Sequence, residues 1–97
     1  MRVEATAEFR SWIDALKDRA GRARVLVGID RLVHGDPGQH RNLAGGISEL
    51  KIDFGPGYRV YYTQRSSRLL LLLAGGDKSS QAKDIVAAVR LAKYFKE

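Results

Sequence analysis

Five residues in one short stretch have the types and spacing to handle a phosphate. Residues 47–63 read Ile-Ser-Glu-Leu-Lys-Ile-Asp-Phe-Gly-Pro-Gly-Tyr-Arg-Val-Tyr-Tyr-Thr, two alternating strands around a tight Gly55-Pro56-Gly57 turn. Side chains alternate between faces along a strand. Leu50, Ile52 and Phe54 therefore share a side with Tyr58, Val60 and Tyr62, and Glu49, Lys51, Asp53, Arg59 and Tyr61 share the other. A guanidinium grips a phosphate through paired N–H bonds, and a nearby acid or base can move a proton. The spacing predicts an open sheet face carrying acid, base and guanidinium side by side.

The rest of the chain must position that hairpin. Arg2 to Ala5 alternates and reads as an edge strand. Thr6 is placed to cap a helix in which Phe9, Trp12, Ile13 and Leu16 form an apolar stripe at i, i+3, i+4 and i+7. Asp18 is placed to cap a second helix reaching about Val33, burying Val25, Ile29, Leu32 and either Leu26 or Val33. With almost no loop between them, the two predict a helical hairpin. His34 to Gly46 is polar and glycine-rich and reads as a loop. After the strand hairpin, Ser66-Ser67 makes a turn into a third strand, Arg68 to Ala74, whose unbroken leucines predict burial on both faces. Gly75-Gly76-Asp77-Lys78 breaks that strand. Ser79 or Ser80 caps a last helix to about Lys96, with Ile85, Ala88, Val89, Ala92 and Phe95 inward. The expected fold is α+β, in the order β-α-α-β-β-β-α. Its small, mostly antiparallel sheet has the helical hairpin on one face and a C-terminal helix.

Ninety-seven residues make one domain, and 44% hydrophobic content suits a folded core rather than a disordered tail. The absence of cysteine excludes disulfides and thiolate metal sites. The polar start and the shortness of the apolar run Leu69 to Ala74 argue against a secretory signal or a membrane span. A cytoplasmic protein with no membrane partner is expected. The net charge of +6 favours polyanionic or acidic partners.

The basic residues of the helices, Arg19, Arg22, Arg24 and Arg31 on one and Lys83, Arg90, Lys93 and Lys96 on another, have two readings. They are either solvated faces or rails for nucleic-acid phosphates. His34 and His40 match no zinc spacing and read as surface loop residues. Gly75-Gly76-Asp77-Lys78-Ser79-Ser80, at a strand end and opening a helix, has the look of an anion nest. It lacks nucleotide P-loop spacing. If the third strand pairs beside the second, Lys78 is delivered toward Lys51 and Arg59.

Taken together, Glu49-Leu50-Lys51-Ile52, Gly55-Pro56-Gly57-Tyr58-Arg59-Val60-Tyr61-Tyr62 and Gly75-Gly76-Asp77-Lys78-Ser79-Ser80-Gln81 with Asp84-Ile85 resemble the RelE/HigB toxins. More narrowly, they resemble the "addiction module killer protein" branch of bacterial type II toxin–antitoxin systems. The resemblance covers essentially the whole chain. It implies a RelE/ParE-like fold and a ribosome-dependent mRNA endonuclease that blocks translation. It also implies a cognate antitoxin, often of helix-turn-helix type, through which alone operator DNA would be met. Lys51 matches a strand lysine that serves the chemistry in RelE-like enzymes, Arg59 matches the arginine that follows Gly-Tyr in the next strand, and Lys78 matches a basic residue after the last strand. Asp53 stands where relatives place a second lysine, and no Tyr or His lies near Asp84.

That chemistry needs no cofactor. Attack of a ribose 2′-hydroxyl on its own phosphodiester requires a base, stabilisation of the phosphorane and an acid for the leaving 5′-oxygen. Arg59 suits the phosphate. Lys51 serves as base if it gives up its proton and as a second stabiliser if it keeps it. Glu49 is a competing base, Tyr61 a further candidate, and Lys78 holds the phosphate or assists the leaving group. Arg22, Arg24, Arg31, Lys83 and Arg90 are the candidate RNA-binding residues. A basic set without paired carboxylates argues against a metal nuclease. The alternatives are a ParE-like toxin acting on DNA gyrase without cleavage, and a basic adaptor that binds only antitoxin and operator DNA.

Overall fold

Thr6 closes one element and opens the next. In the computed structural model, which describes residues 1–95, β1 (Arg2–Ala5) runs directly into α1 (Ala7–Ala15). The Thr6 hydroxyl accepts from the Phe9 amide at 3.0 Å, an N-cap, and donates to the Leu73 carbonyl, pinning the corner to the sheet. Asp18 caps α2 (Arg19–Val33) by accepting from the Gly21 amide at 2.9 Å. There follow β2 (His40–Asn42), β3 (Ser48–Ile52), β4 (Tyr58–Arg65), β5 (Leu69–Gly76) and α3 (Gln81–Tyr94). Short 3₁₀ turns lie at Ala44–Gly46 and Lys78–Ser80. The described residues thus form an α+β fold of five strands and three α-helices.

The sheet order is β1-β5-β4-β3-β2. β1 runs parallel to β5, and the other neighbours are antiparallel. β5 is flanked on both edges and covered on both faces, which accounts for its run of leucines: Leu69 to Leu73 are all buried. Each fully buried leucine stabilises the fold by roughly 1.5–3 kcal/mol.

Two cores sandwich the sheet. One joins Phe9 and Ile13 of α1 and Val25, Ile29 and Leu32 of α2 to Leu50, Val60, Tyr62, Leu70 and Leu72, with Trp12, Leu16, Val33, Ile52 and Phe54 against it. The other joins Ala88 and Ala92 of α3 to Ile47, Tyr61, Leu71, Leu73 and Ala74. A register shift opposite Tyr61 and Tyr62, where Tyr61 pairs with Ala74 and Tyr62 with Leu72, lets the consecutive Leu73 and Ala74 join one core. Arg65 fastens α3 by donating to the Ala92 and Phe95 carbonyls at the helix end.

Two expectations are corrected and one alternative is resolved. The segment 34–46 is not all loop: His40–Asn42 adds a fifth strand. Leu26 is exposed, and Val33 takes the place beside the core. Gly75 and Gly76 do not break β5 but end it. A side chain at Gly75 would collide with the Trp12 ring, and one at Gly76 with the Asp84 carboxylate and the Ser80 hydroxyl. These glycines mark close packing. The expected last-helix residue Lys96 lies outside the described residues. Among those described, no helix is long and apolar enough to cross a membrane.

Candidate functional site

The hairpin register is the one that strand parity demands. Lys51 pairs with Arg59 and Glu49 with Tyr61 across β3 and β4. The face they share is not open, however. α3 lies over it, so Glu49, Arg59 and Tyr61 are buried, while Lys51 and Asp53 remain exposed. Parity along a strand says which side chains share a face; it does not say whether a helix covers them.

At the edge of this covered face is a groove of about 630 Å³. Arg41, Glu49, Lys51, Arg59 and Gln81 line it together with residues 38–40. β2 builds one wall, because Arg41 pairs with Glu49 in register. The first turn of α3 builds another through Gln81. Glu49 holds the wall residues together: one carboxylate oxygen accepts from Arg41 Nε at 2.9 Å, and the other accepts from Gln81 Nε2 at 2.9 Å. Arg59 Nε lies 3.8 Å from that second oxygen, an ion pair too long for a hydrogen bond. The other end of the Arg59 guanidinium donates from Nη1 to the Gly57 carbonyl at 2.7 Å.

These contacts decide what each candidate can do. Burial alone would push the Glu49 carboxyl up. Hydrogen bonds from Arg41 and Gln81, with the nearby Tyr61 hydroxyl and the Arg41 charge, outweigh it and hold Glu49 below its usual value. A carboxylate so occupied is a weak proton acceptor, so Glu49 acts as counterion and brace rather than base. The Tyr61 hydroxyl is fully buried beside Glu49 without a hydrogen-bond partner. Burial and the Glu49 charge raise its pKa, so it sits behind the groove as a neutral phenol.

Lys78 is exposed and does not line the groove, but it starts beside Arg59. A side chain at Gly57 would meet Arg59 Nη1 at 3.1 Å and Lys78 Cβ at 3.8 Å, so both basic residues flank that turn. The expected anion nest is filled from within. The Asp77 carboxylate accepts from the Ser79 amide at 2.8 Å and from the Ser79 hydroxyl, which hold it below its ordinary value. Ser80 does not cap α3 with its side chain and donates instead to Asp84.

The helix cations separate into three groups. Arg24 and Arg31 line a second depression of about 490 Å³ that also includes Lys51 and Asp53. Arg22 pairs with Asp14 at 3.6 Å on the exposed side of the helical hairpin. Lys83 and Arg90 are exposed on α3, each two residues, or roughly 200° of helix rotation, from the inward Gln81 and Ala88. Residue patterns alone missed Arg41 and Gln81. Arg41 sits in a strand with no apolar alternation, and Gln81 sits one turn before the apolar stripe of α3. His40, expected in a loop, is in β2, where its register partner Leu50 belongs to the helical-hairpin core, away from Glu49.

What the arrangement can do is hold an anion against Lys51, Arg41 and Arg59 with Glu49 fixing the two arginines. No family model matches the sequence. A protein of Haemophilus influenzae, described only as uncharacterized, is 42% identical over 93 residues, spanning 96% of this chain and 94% of that one. The chain therefore belongs to one family with this Haemophilus influenzae protein, along nearly the full length of both.

Proposed function

We propose that the chain is the toxin of a type II toxin–antitoxin module, of RelE/HigB type within a RelE/ParE-like fold. In this reading it acts in the cytoplasm as a ribosome-dependent mRNA endonuclease and is neutralised by a cognate antitoxin. Operator DNA is met only through that antitoxin. The observation that carries the reading is the cross-strand pair Lys51 and Arg59 on a groove whose other cation is Arg41. In the reaction, the 2′-oxygen bonds to phosphorus as its proton passes to water, and the P–O5′ bond breaks as the 5′-oxygen takes a proton from water. Lys51 and Arg59 stabilise the charge that builds on the phosphorane, Lys78 adds to it from the neighbouring turn, and Glu49 keeps Arg59 in place.

One observation favours a second reading, a ParE-like toxin that acts on gyrase without cleaving RNA. The carboxylate lining the groove is already bonded on both oxygens, so it offers no free base beside Lys51. Induced expression separates the two. The endonuclease reading expects growth arrest with new 5′ ends inside translated messages, lost in Lys51→Ala. The gyrase reading expects DNA damage and loss of supercoiling activity with messages intact. Absence of any growth phenotype on expression alone would sink both and leave a basic adaptor.

A further inference from the structure

We infer that the depression between α2 and the free edge of β3 is a second binding site, for the single-stranded RNA that continues from the Lys51–Arg59 groove. The inference rests on the proposed RNA-directed function and extends it to a surface that this function does not itself require.

The two depressions are continuous. Gly38, Gln39 and Lys51 line both, so a strand held at Arg59 and Lys51 meets the second without leaving the surface. The geometry comes from a close approach: a side chain at Gly28 would lie 2.6 Å from Ile52 Cδ1, so α2 settles directly on β3. Pairing of β3 with β2 stops at Leu50, followed by a last bond from the Lys51 amide to the Gln39 carbonyl at 2.8 Å. Beyond it the edge is open.

Its lining suits nucleotides better than a simple anion. Arg24 lies with its guanidinium carbon over the Phe54 ring, 4.8 Å from its centre, a cation–π contact that restrains an otherwise mobile side chain. Arg24 is exposed, so its guanidinium is available to a base, a platform that RNA-binding proteins use. Arg31 is seven residues on, the same side of α2 and about 10 Å along its axis, where it meets a further phosphate. Val27, 48% exposed between them, supplies apolar contact. Asp36 and Asp53 also border the depression. Asp36 is turned to its own loop, accepting from the Gly38 amide at 3.0 Å, while Asp53 disfavours phosphate at its end of the edge.

The test is binding of 2′-O-methyl oligoribonucleotides, which lack the attacking hydroxyl, to the full chain by fluorescence anisotropy. A trinucleotide fills the first groove, and a nonanucleotide reaches the second. The wild type is expected to bind the longer oligomer at least tenfold more tightly, with a steeper salt dependence, each added phosphate contact contributing a slope of about 0.7. Arg24→Ala/Arg31→Ala is expected to abolish that gain and leave trinucleotide binding unchanged. Arg24→Lys, which keeps the charge and loses the planar guanidinium, removes part of it. Arg2→Ala/Arg68→Ala, an equal loss of charge at the end of β5 opposite the one that pairs with Arg59, leaves the gain intact.

No gain with length in the wild type, or equal losses in the two double variants, overturns the site. So does wild-type RNA binding by Arg24→Ala/Arg31→Ala together with lost antitoxin binding, which would make the groove a protein interface. If messages are not cleaved in cells but the length-dependent gain persists, the nuclease reading fails and the site stands. Cleavage without the gain does the reverse.

Discussion

Lys51 and Arg59 stand directly opposite each other on adjacent antiparallel strands, like charges where cross-strand pairing favours opposite ones. Arg59 is answered by Glu49 at 3.8 Å. Lys51 forms no ion pair among the described residues. The pair is a standing electrostatic cost that an anion removes.

That cost should be measurable without RNA. Inorganic pyrophosphate is expected to raise the melting temperature of the wild type, as any ligand selective for the folded state does. Lys51→Ala should be slightly more stable than wild type when unliganded, by up to about 0.5 kcal/mol, and should lose most of the pyrophosphate shift. An undiminished shift in Lys51→Ala would place the anion elsewhere.

Glu49 braces two arginines and a helix, so its removal should act on the fold before it acts on chemistry. Glu49→Ala leaves the buried Arg59 without its counterion, and breaking a buried pair this way costs about 3 kcal/mol. Glu49→Gln keeps a hydrogen-bonding partner for both neighbours and should lose less. Urea denaturation reads both. If Glu49→Gln folds with wild-type stability yet abolishes RNA cleavage, Glu49 is a base after all.

The helical hairpin and the strand hairpin are tied by one hydrogen bond, from the Tyr58 hydroxyl to the Asp18 carboxylate at 2.7 Å. The Gly21 amide and this hydroxyl hold Asp18 below its ordinary 3.8. The bond to Asp18, with burial, pushes Tyr58 up from 10 to about 12. Folded Asp18 binds its proton less tightly than unfolded Asp18, so its contribution is complete above 3.8 and drains away as pH falls below it. Folded Tyr58 binds its proton more tightly, so its contribution is complete below pH 10 and drains away toward 12. Asp18→Asn keeps a capping side chain but should flatten both limbs of the stability–pH curve and bring the tyrosinate absorbance transition back toward 10. Unchanged limbs would show that the tie carries no linkage.

Gly75 lies under the Trp12 ring. Gly75→Ala should therefore cost about 1–3 kcal/mol by overpacking and perturb the tryptophan fluorescence. Gly38, whose added side chain would meet nothing within 4 Å, has φ +55 and provides the contrast: Gly38→Ala strains backbone, not packing. A spectrum unchanged in Gly75→Ala would mean that the ring is not seated there.

Much of this was legible from residue spacing because it depends on local periodicity. The Phe9, Trp12, Ile13 and Leu16 stripe, the caps Thr6 and Asp18, and the alternation of Leu50 with Lys51 are all settled within one turn or one pleat. Two features were not. β2 is three exposed polar residues whose only reason to be a strand is a partner six to ten residues away. The burial of Glu49, Arg59 and Tyr61 is decided by α3, and the small residues Ala88 and Ala92, which let that helix lie close to the sheet, were the available hint. The groove was half visible for the same reason: Lys51 and Arg59 belong to the hairpin, whereas Arg41 and Gln81 arrive by tertiary packing.

Gln81 closes the groove from the first turn of the last helix, and β1 pairs with β5, a partner 67 residues later. The order of synthesis therefore sets when the surface exists. While the chain emerges from a ribosome, the two helices can form, but β1 has no partner strand and Glu49 lacks its Gln81 bond. The partner strand is complete once residue 76 has been made, and the bond to Glu49 waits for residue 81. Folding dominated by such distant contacts is slow, so a newly made molecule passes through an interval in which Lys51 and Arg59 are present and the groove is not.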